Sequence, residues 1–259
     1  MPELPDLTVY AGNLAAKLNG KKVQSIESFV SDKRLNVSQS ELQNAIAGAA
    51  LKNVQRYGKE MRFEFSNNNS LIIHLMLGGG FKITSTPDQV QFNALTISFD
   101  DGPHLVVTDP KVMVTAKLNP PPSKVPDALD IDVEYLRQKI AKKSKMMAKA
   151  FLIDQSIFRG VGNAYADEIL WEARISPKSL MGKIPDDAVD TLFASMRRVL
   201  IDSVEEIRKA DPDIITGEVR DFMKVHNYRR KQSPNGRPII KETIASKITY
   251  YTDEQVLYA

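Results

Sequence analysis

The architecture follows from one stretch, FRGVGNAYADEILWEARISP, residues 158–177. Gly160 and Gly162 allow a sharp turn with close backbone approach. The residues after them keep helical apolar spacing. Asn163 stands at the helix start, where its side chain can cap the helix or reach a ligand. Backbone N–H groups at such a start form an anion site suited to a phosphate. Any helix-turn-helix can carry such a turn, so a structural cap and a phosphate contact both remain open.

Working outward, the neighbouring segments share the helical period. VEYLRQKIA (133–141), KMMAKAFLI (145–153) and AVDTLFASMRRVLIDSVEEIRKA (188–210) all predict helices. Before them NPPPSKVPDAL (119–129) is a proline-rich break. From Lys22 to about Leu118 the pattern is short and β-rich: VQSIESF, LKNVQRY, MRFEFS, SLIIHLML, FKITS, NALTISF and HLVVTD. The turn signals NNNS, GGG, TPD and DDGP separate them. LTVYAGNLAAKLN (7–19) predicts one helix in front of this sheet sandwich, ending at Gly20. Beyond residue 223, RPIIKETI and KITYYT are strand-like around a turn placed at SPNG, which predicts a basic hairpin.

Composition narrows the function. The chain has 259 residues, 42% of them apolar, enough for a sizeable core. It has no Cys and only His74, His104 and His226, scattered, so neither disulfides nor a structural zinc site is expected. No run of about 18 apolar residues is present, so no membrane span is expected. MPELPDLTVY has acids where a signal peptide carries basic charge, which predicts a cytoplasmic location. The net charge is +3, yet Lys224–Ala259 alone has seven Lys or Arg against three acids, a net +4. Such clustering is the footprint of phosphate contact, or else a solvated basic hairpin.

Two more features carry chemistry. Pro2 follows Met1, and initiator methionine is removed before small residues. The exposed secondary amine can form an iminium with a sugar carbon, and ordinary α-amino groups titrate near about 8. Glu3 beside it can donate and accept protons. Lys59, after Gly58 in RYGKEMRFEF, is placed at a hairpin tip where it can touch a phosphate.

Together and in this order, MPELPD, the GK at 58–59, RGVGNAYADEIL and the basic C-terminal hairpin resemble the formamidopyrimidine-DNA glycosylase / endonuclease VIII family. The resemblance spans nearly the whole chain. It implies an α+β fold: an N-terminal helix on a β-sandwich, a helical domain with a helix–two-turn–helix, and a C-terminal hairpin finger. The implied divisions are a catalytic domain over 1–120, a linker over 121–130, a helical domain over 131–223 and the finger over 224–259.

The resemblance further implies that Pro2 attacks the anomeric carbon of a damaged nucleoside while Glu3 protonates the ring oxygen. Elimination of the flanking phosphates follows. Lys59 matches the lysine beside the active site, and Gly162 and Asn163 match the turn that holds a backbone phosphate. The target base must be flipped from the duplex. Leu77 in HLMLGGG falls at the wedge position that fills the hole. Lys111 and Met113 fall where many members carry arginine and an aromatic residue.

The finger departs from the zinc-bearing pattern. Asn235, Thr252 and Gln255 stand where Cys would be, and Lys247 stands at the tip in place of arginine. A zincless finger is therefore expected, with no metal and no cofactor. Ile239, Ile244, Ile248 and Tyr250 are expected to pack in the metal's stead. Damaged DNA is the expected partner and a monomer the expected state. ADPDIITGEVRDF (210–222) is short for a lesion-capping loop and KETIASK is closer to the endonuclease VIII branch, so oxidised pyrimidines are favoured over purines. The alternative is a damaged-DNA-binding protein on the same scaffold without catalysis.

Overall fold

A computed structural model describes residues 1–31 and 33–259. The chain divides into two compact units. The first comprises Met1–Pro2, Asp6–Pro122 and Asp211–Glu218. The second comprises Glu3–Pro5, Ser123–Ala210 and Val219–Ala259.

The first unit holds most of helix α1 (Leu4–Leu18), helix α2 (Gln39–Ile46) and eight strands. The strands are β1 (Val23–Ser28), β2 (Leu51–Tyr57), β3 (Glu60–Phe65), β4 (Ser70–His74), β5 (Gly80–Thr84), β6 (Asn93–Phe99), β7 (His104–Thr108) and β8 (Thr115–Leu118). They form two antiparallel sheets, ordered β1-β6-β7-β5 and β2-β3-β4-β8. Strict alternation in EMRFEF buries Met61, Phe63 and Phe65 on one face of β3. Phe63 meets Phe81 of the other sheet edge-on, with ring centroids 5.9 Å apart. This is the expected sandwich. Helix α2 was not legible from periodicity alone. Its start is a capping box in which Ser38 and Glu41 satisfy each other's backbone N–H.

The segment Asp211–Glu218 belongs to this unit although it follows a long helix of the other. It is fastened to α1. Asn13 Nδ2 donates to the Ile214 carbonyl (2.8 Å), the Tyr10 hydroxyl donates to the Gly217 carbonyl, and Lys17 pairs with Asp213 (2.5 Å).

The second unit contains α3 (Val133–Lys142), α4 (Ala148–Ile153), α5 (Asn163–Glu172), α6 (Asp186–Ala210) and the strands β9 (Ile240–Ile244) and β10 (Lys247–Tyr251). Val189, Leu192, Met196, Leu200, Val204 and Ile207 recur every three or four residues along α6 and are buried. The first four join a core that includes Phe151, Phe158 and Tyr165. The α+β architecture expected from the sequence is found.

Two details of the hairpin differ from expectation. Its turn is Ala245–Ser246, both left-handed (φ 51° and 60°), the geometry that suits right-handed strand twist. SPNG instead makes a separate tight turn ahead of β9, closed by the Gly236 amide donating to the Ser233 carbonyl (2.9 Å). Ile244 and Tyr250 are buried and Ile239 packs with Tyr250, Trp171 and Val225, but Ile248 is 50% exposed. Ile248 lies next to the hairpin turn, so three of the four expected residues pack. Among the described residues no helix is long and apolar enough to cross a membrane.

Candidate active site and nucleic-acid interface

In the second unit the start of α5 is an anion site, and the anion is Glu3. The Gly162 and Ala164 amides donate to its carboxylate at 2.7 and 2.9 Å, and the Tyr165 amide at 3.4 Å. Glu3 is 4% exposed. A carboxylate here satisfies the orphan amides and meets the positive end of the helix dipole. Of the two readings left open for this turn, the structural cap is met at these amides, by the chain's own Glu3.

Gly162 is the N-cap, in extended conformation (φ −125°), so left-handed geometry is not what requires glycine. A Cβ there would lie 2.6 Å from Glu3 Oε1, a distance real side chains do not tolerate. Gly160 does take the left-handed region (φ 111°) and packs on Leu4.

Asn163 is the first helical residue and does not cap the helix. Its Nδ2 donates to the Ile248 carbonyl of β10 (2.8 Å). That bond ties the helix start to the finger strand that begins with the exposed Lys247. Glu3, Gly162, Asn163 and Lys247 are thus gathered in one unit.

Beneath them lies a polar cluster that motif reading did not single out. The fully buried Lys149 ammonium donates to the Asn163 carbonyl (2.6 Å) and pairs with Asp167 (2.5 Å). Burial pushes the lysine below its ordinary range, and Asp167 opposes this only in part. The other Asp167 oxygen accepts from the Tyr250 amide (2.9 Å) and faces His226 Nδ1 (2.6 Å). Glu168 accepts from the amides of Lys224, Val225 and His226 at 2.7–2.8 Å. Burial nevertheless drives its carboxyl upward. The available signal was a lone lysine in the apolar run KMMAKAFLI and adjacent acids in YADE.

In the first unit Pro2 is buried, and the Met1 ammonium pairs with Glu218 at 2.5 Å. Lys59 occupies the turn between β2 and β3, as expected from its place after Gly58. Arg56 braces that turn, donating from Nε to Thr8 (2.9 Å) and from Nη1 to the Gly58 carbonyl (3.2 Å). His74 stands at the end of β4. Burial first, then the charges of Lys59 and Lys117, lower its imidazole to about 4. Its Nδ1 accepts from the Met76 amide (2.9 Å), so the neutral ring carries its proton on Nε2.

Leu77 is 45% exposed on a turn with left-handed residues on both sides, Met76 and Gly78. The Lys111 loop adjoins it: an ideal Cβ on Gly78 would lie 3.7 Å from Pro110 and 3.8 Å from Lys111. The turn that carries Leu77 and the loop that carries Lys111 are therefore neighbours. Asp109 braces the second loop, accepting from the Met113 and Val114 amides (2.9 and 2.8 Å) and pairing with Arg34 (3.3 Å). Among the described residues no cluster of three or more His, Asp or Glu could hold a metal ion.

The family model described as the formamidopyrimidine-DNA glycosylase N-terminal domain matches residues 1–115. The model for the H2TH domain of formamidopyrimidine-DNA glycosylase matches residues 123–211. A formamidopyrimidine-DNA glycosylase of Carboxydothermus hydrogenoformans is 29% identical, covering 97% of this chain and 98% of that protein. One of Mycoplasma mobile is 27% identical, covering 97% of each. The solved complex of Lactococcus lactis Fpg with DNA containing an abasic site shares the fold, with a TM-score of 0.85 at 23% identity over 97% of this chain and 98% of that one. The chain therefore belongs to the formamidopyrimidine-DNA glycosylase / endonuclease VIII family.

Proposed function

We propose that this protein is a base-excision DNA repair glycosylase that also cleaves the strand, with the Pro2 amine as nucleophile. Its relatives bear the name of DNA glycosylases over nearly the full length of the chain. The observation that carries the reading is the fixed start of the chain. Chain ends ordinarily fray. Here Pro2 is buried and Glu3 is 4% exposed with three backbone amides on its carboxylate.

Removal of Met1 exposes a secondary amine. The amine attacks the anomeric carbon, the damaged base leaves, and Glu3 gives a proton to the ring oxygen as the sugar opens. The iminium acidifies the neighbouring carbon, and elimination cuts the strand. Lys59 holds a phosphate beside this carbon. Asn163 and Lys247 hold the DNA backbone. Leu77 fills the space left by the flipped base, and Lys111 on the adjoining loop contacts the DNA. Oxidised pyrimidines are the favoured substrates, with purine lesions second.

Borohydride reduction on lesion-bearing duplex tests this. A covalent adduct mapping to Pro2 is expected, with Pro2→Gly or an N-terminal tag lowering both trapping and excision. Normal excision by both variants would remove Pro2 as nucleophile. No adduct on any oxidised base or abasic site would leave a non-catalytic damage-binding protein instead. A panel of lesions ranks the substrates.

A further inference from the structure

The nucleophile needs a proton acceptor, and the proposed mechanism already gives Glu3 another task, protonation of the ring oxygen. Its carboxylate is spent on the helix start, where it accepts from Gly162, Ala164 and Tyr165.

A second carboxylate lies at the chain's beginning, within the same unit as Pro2. Glu218 Oε1 is 2.5 Å from the Met1 ammonium, and the two side chains are 32% and 28% exposed. Successive backbone nitrogens lie at most about 3.6 Å apart, so the Pro2 nitrogen is within about 6 Å of that oxygen. The flexible glutamate side chain can span the difference once Met1 is gone.

The segment that bears Glu218 is not a loose loop. Asn13, Tyr10 and Lys17 of α1 hold Ile214, Gly217 and Asp213. Thr216 sits so tightly on the start of β5 that a Cβ at Gly80 would overlap its hydroxyl. The carboxylate is presented from a braced platform.

We propose that Glu218 is the proton acceptor that frees the Pro2 amine for attack, an inference that rests on Pro2 being the nucleophile. At neutral pH an ordinary secondary ammonium is mostly protonated. One N–H bond breaks, an O–H bond forms on Glu218, and the electron pair stays on nitrogen to bond with the anomeric carbon.

The test uses the full chain with Met1 loss verified by intact mass. Single-turnover borohydride trapping on abasic-site duplex is compared for the wild type, Glu218→Gln, Glu218→Asp and Glu218→Ala, with affinity measured separately without reductant. General-base contributions run to about 10²–10⁴, so the Gln variant should trap at least tenfold more slowly with its Kd unchanged. Asp should recover part of the rate, and added formate should accelerate the Ala variant but not the wild type. A merely structural role would show neither rescue. Wild-type trapping in the Gln variant, or a rate loss matched by an equal loss of affinity, overturns the assignment of Glu218. A wild-type protein that forms no adduct at Pro2 overturns the nucleophile reading itself, which is a separate outcome.

Discussion

At His74, burial and the nearby ammonium of Lys59 hold the imidazole at about 4, against 6.5 in the unfolded chain. Above 6.5 neither state is protonated. Between 6.5 and about 4 the unfolded chain binds the extra proton, so stability is full above that window and is lost as pH falls through it. The loss is at most about 3 kcal/mol. Urea unfolding at pH 7 and pH 4.5 should show a larger drop for the wild type than for His74→Gln, and equal drops would refute the account. Val112 offers a second single-residue case. It is 68% exposed and holds a left-handed backbone (φ 54°), costly for a β-branched residue. Strain of about 1–3 kcal/mol outweighs the flexibility cost of glycine, about 0.5–1 kcal/mol. Val112→Gly should therefore raise stability by about 1 kcal/mol in calorimetry, and a fall would mean the loop is not strained. Neither property was legible in HLML or PKVM, because each depends on neighbours or backbone angles that spacing does not encode.

The elements themselves were largely legible, because alternation in EMRFEF and three-to-four spacing along 188–210 express which face each strand or helix buries. What escaped was how α5 begins. The two glycines and Asn163 were visible, but the capping group comes from 159 residues away, since the Gly162 amide donates to Glu3. Two substitutions test that cap. Gly162→Ala puts a methyl against the Glu3 carboxyl and should expel it. Glu3→Gln removes the charge that the helix dipole and three amides favour. Each should cost about 2–3 kcal/mol. The double variant should cost clearly less than the sum, because both remove the same interaction. Additive losses would show the two residues acting independently. Beneath the cap, Lys149→Met leaves Asp167 buried without its cation. A loss of about 3–5 kcal/mol is expected by thermal or urea unfolding, and an unchanged midpoint would mean that Tyr250 and His226 suffice.

Across the whole molecule charge is uneven. The last 36 residues, with a net +4, exceed the chain's total of +3. This bias and the hairpin were legible because lysines and turn residues declare themselves in one dimension. The anchoring of the hairpin was not, because it rests on Asp167 and Glu168 taking the amides of Tyr250 and of residues 224–226. Those bonds fix the strand that opens with Lys247, and Asn163 holds the next carbonyl. Under the proposed function this lysine would contribute a point charge to a phosphate, without the two-pronged geometry of arginine. It carries no base-reading group, so its loss should weaken binding to damaged and undamaged duplex alike. Each phosphate contact on duplex DNA contributes about 0.9 to the slope of log affinity against log salt. Lys247→Ala should therefore flatten that slope by about one, with the affinity deficit shrinking as salt rises. Lys247→Arg should restore the slope and strengthen binding at every salt concentration. A Lys247→Ala protein with the wild-type slope would show that the hairpin tip does not meet the phosphate backbone. The excess positive charge of the C-terminal stretch would then serve another surface.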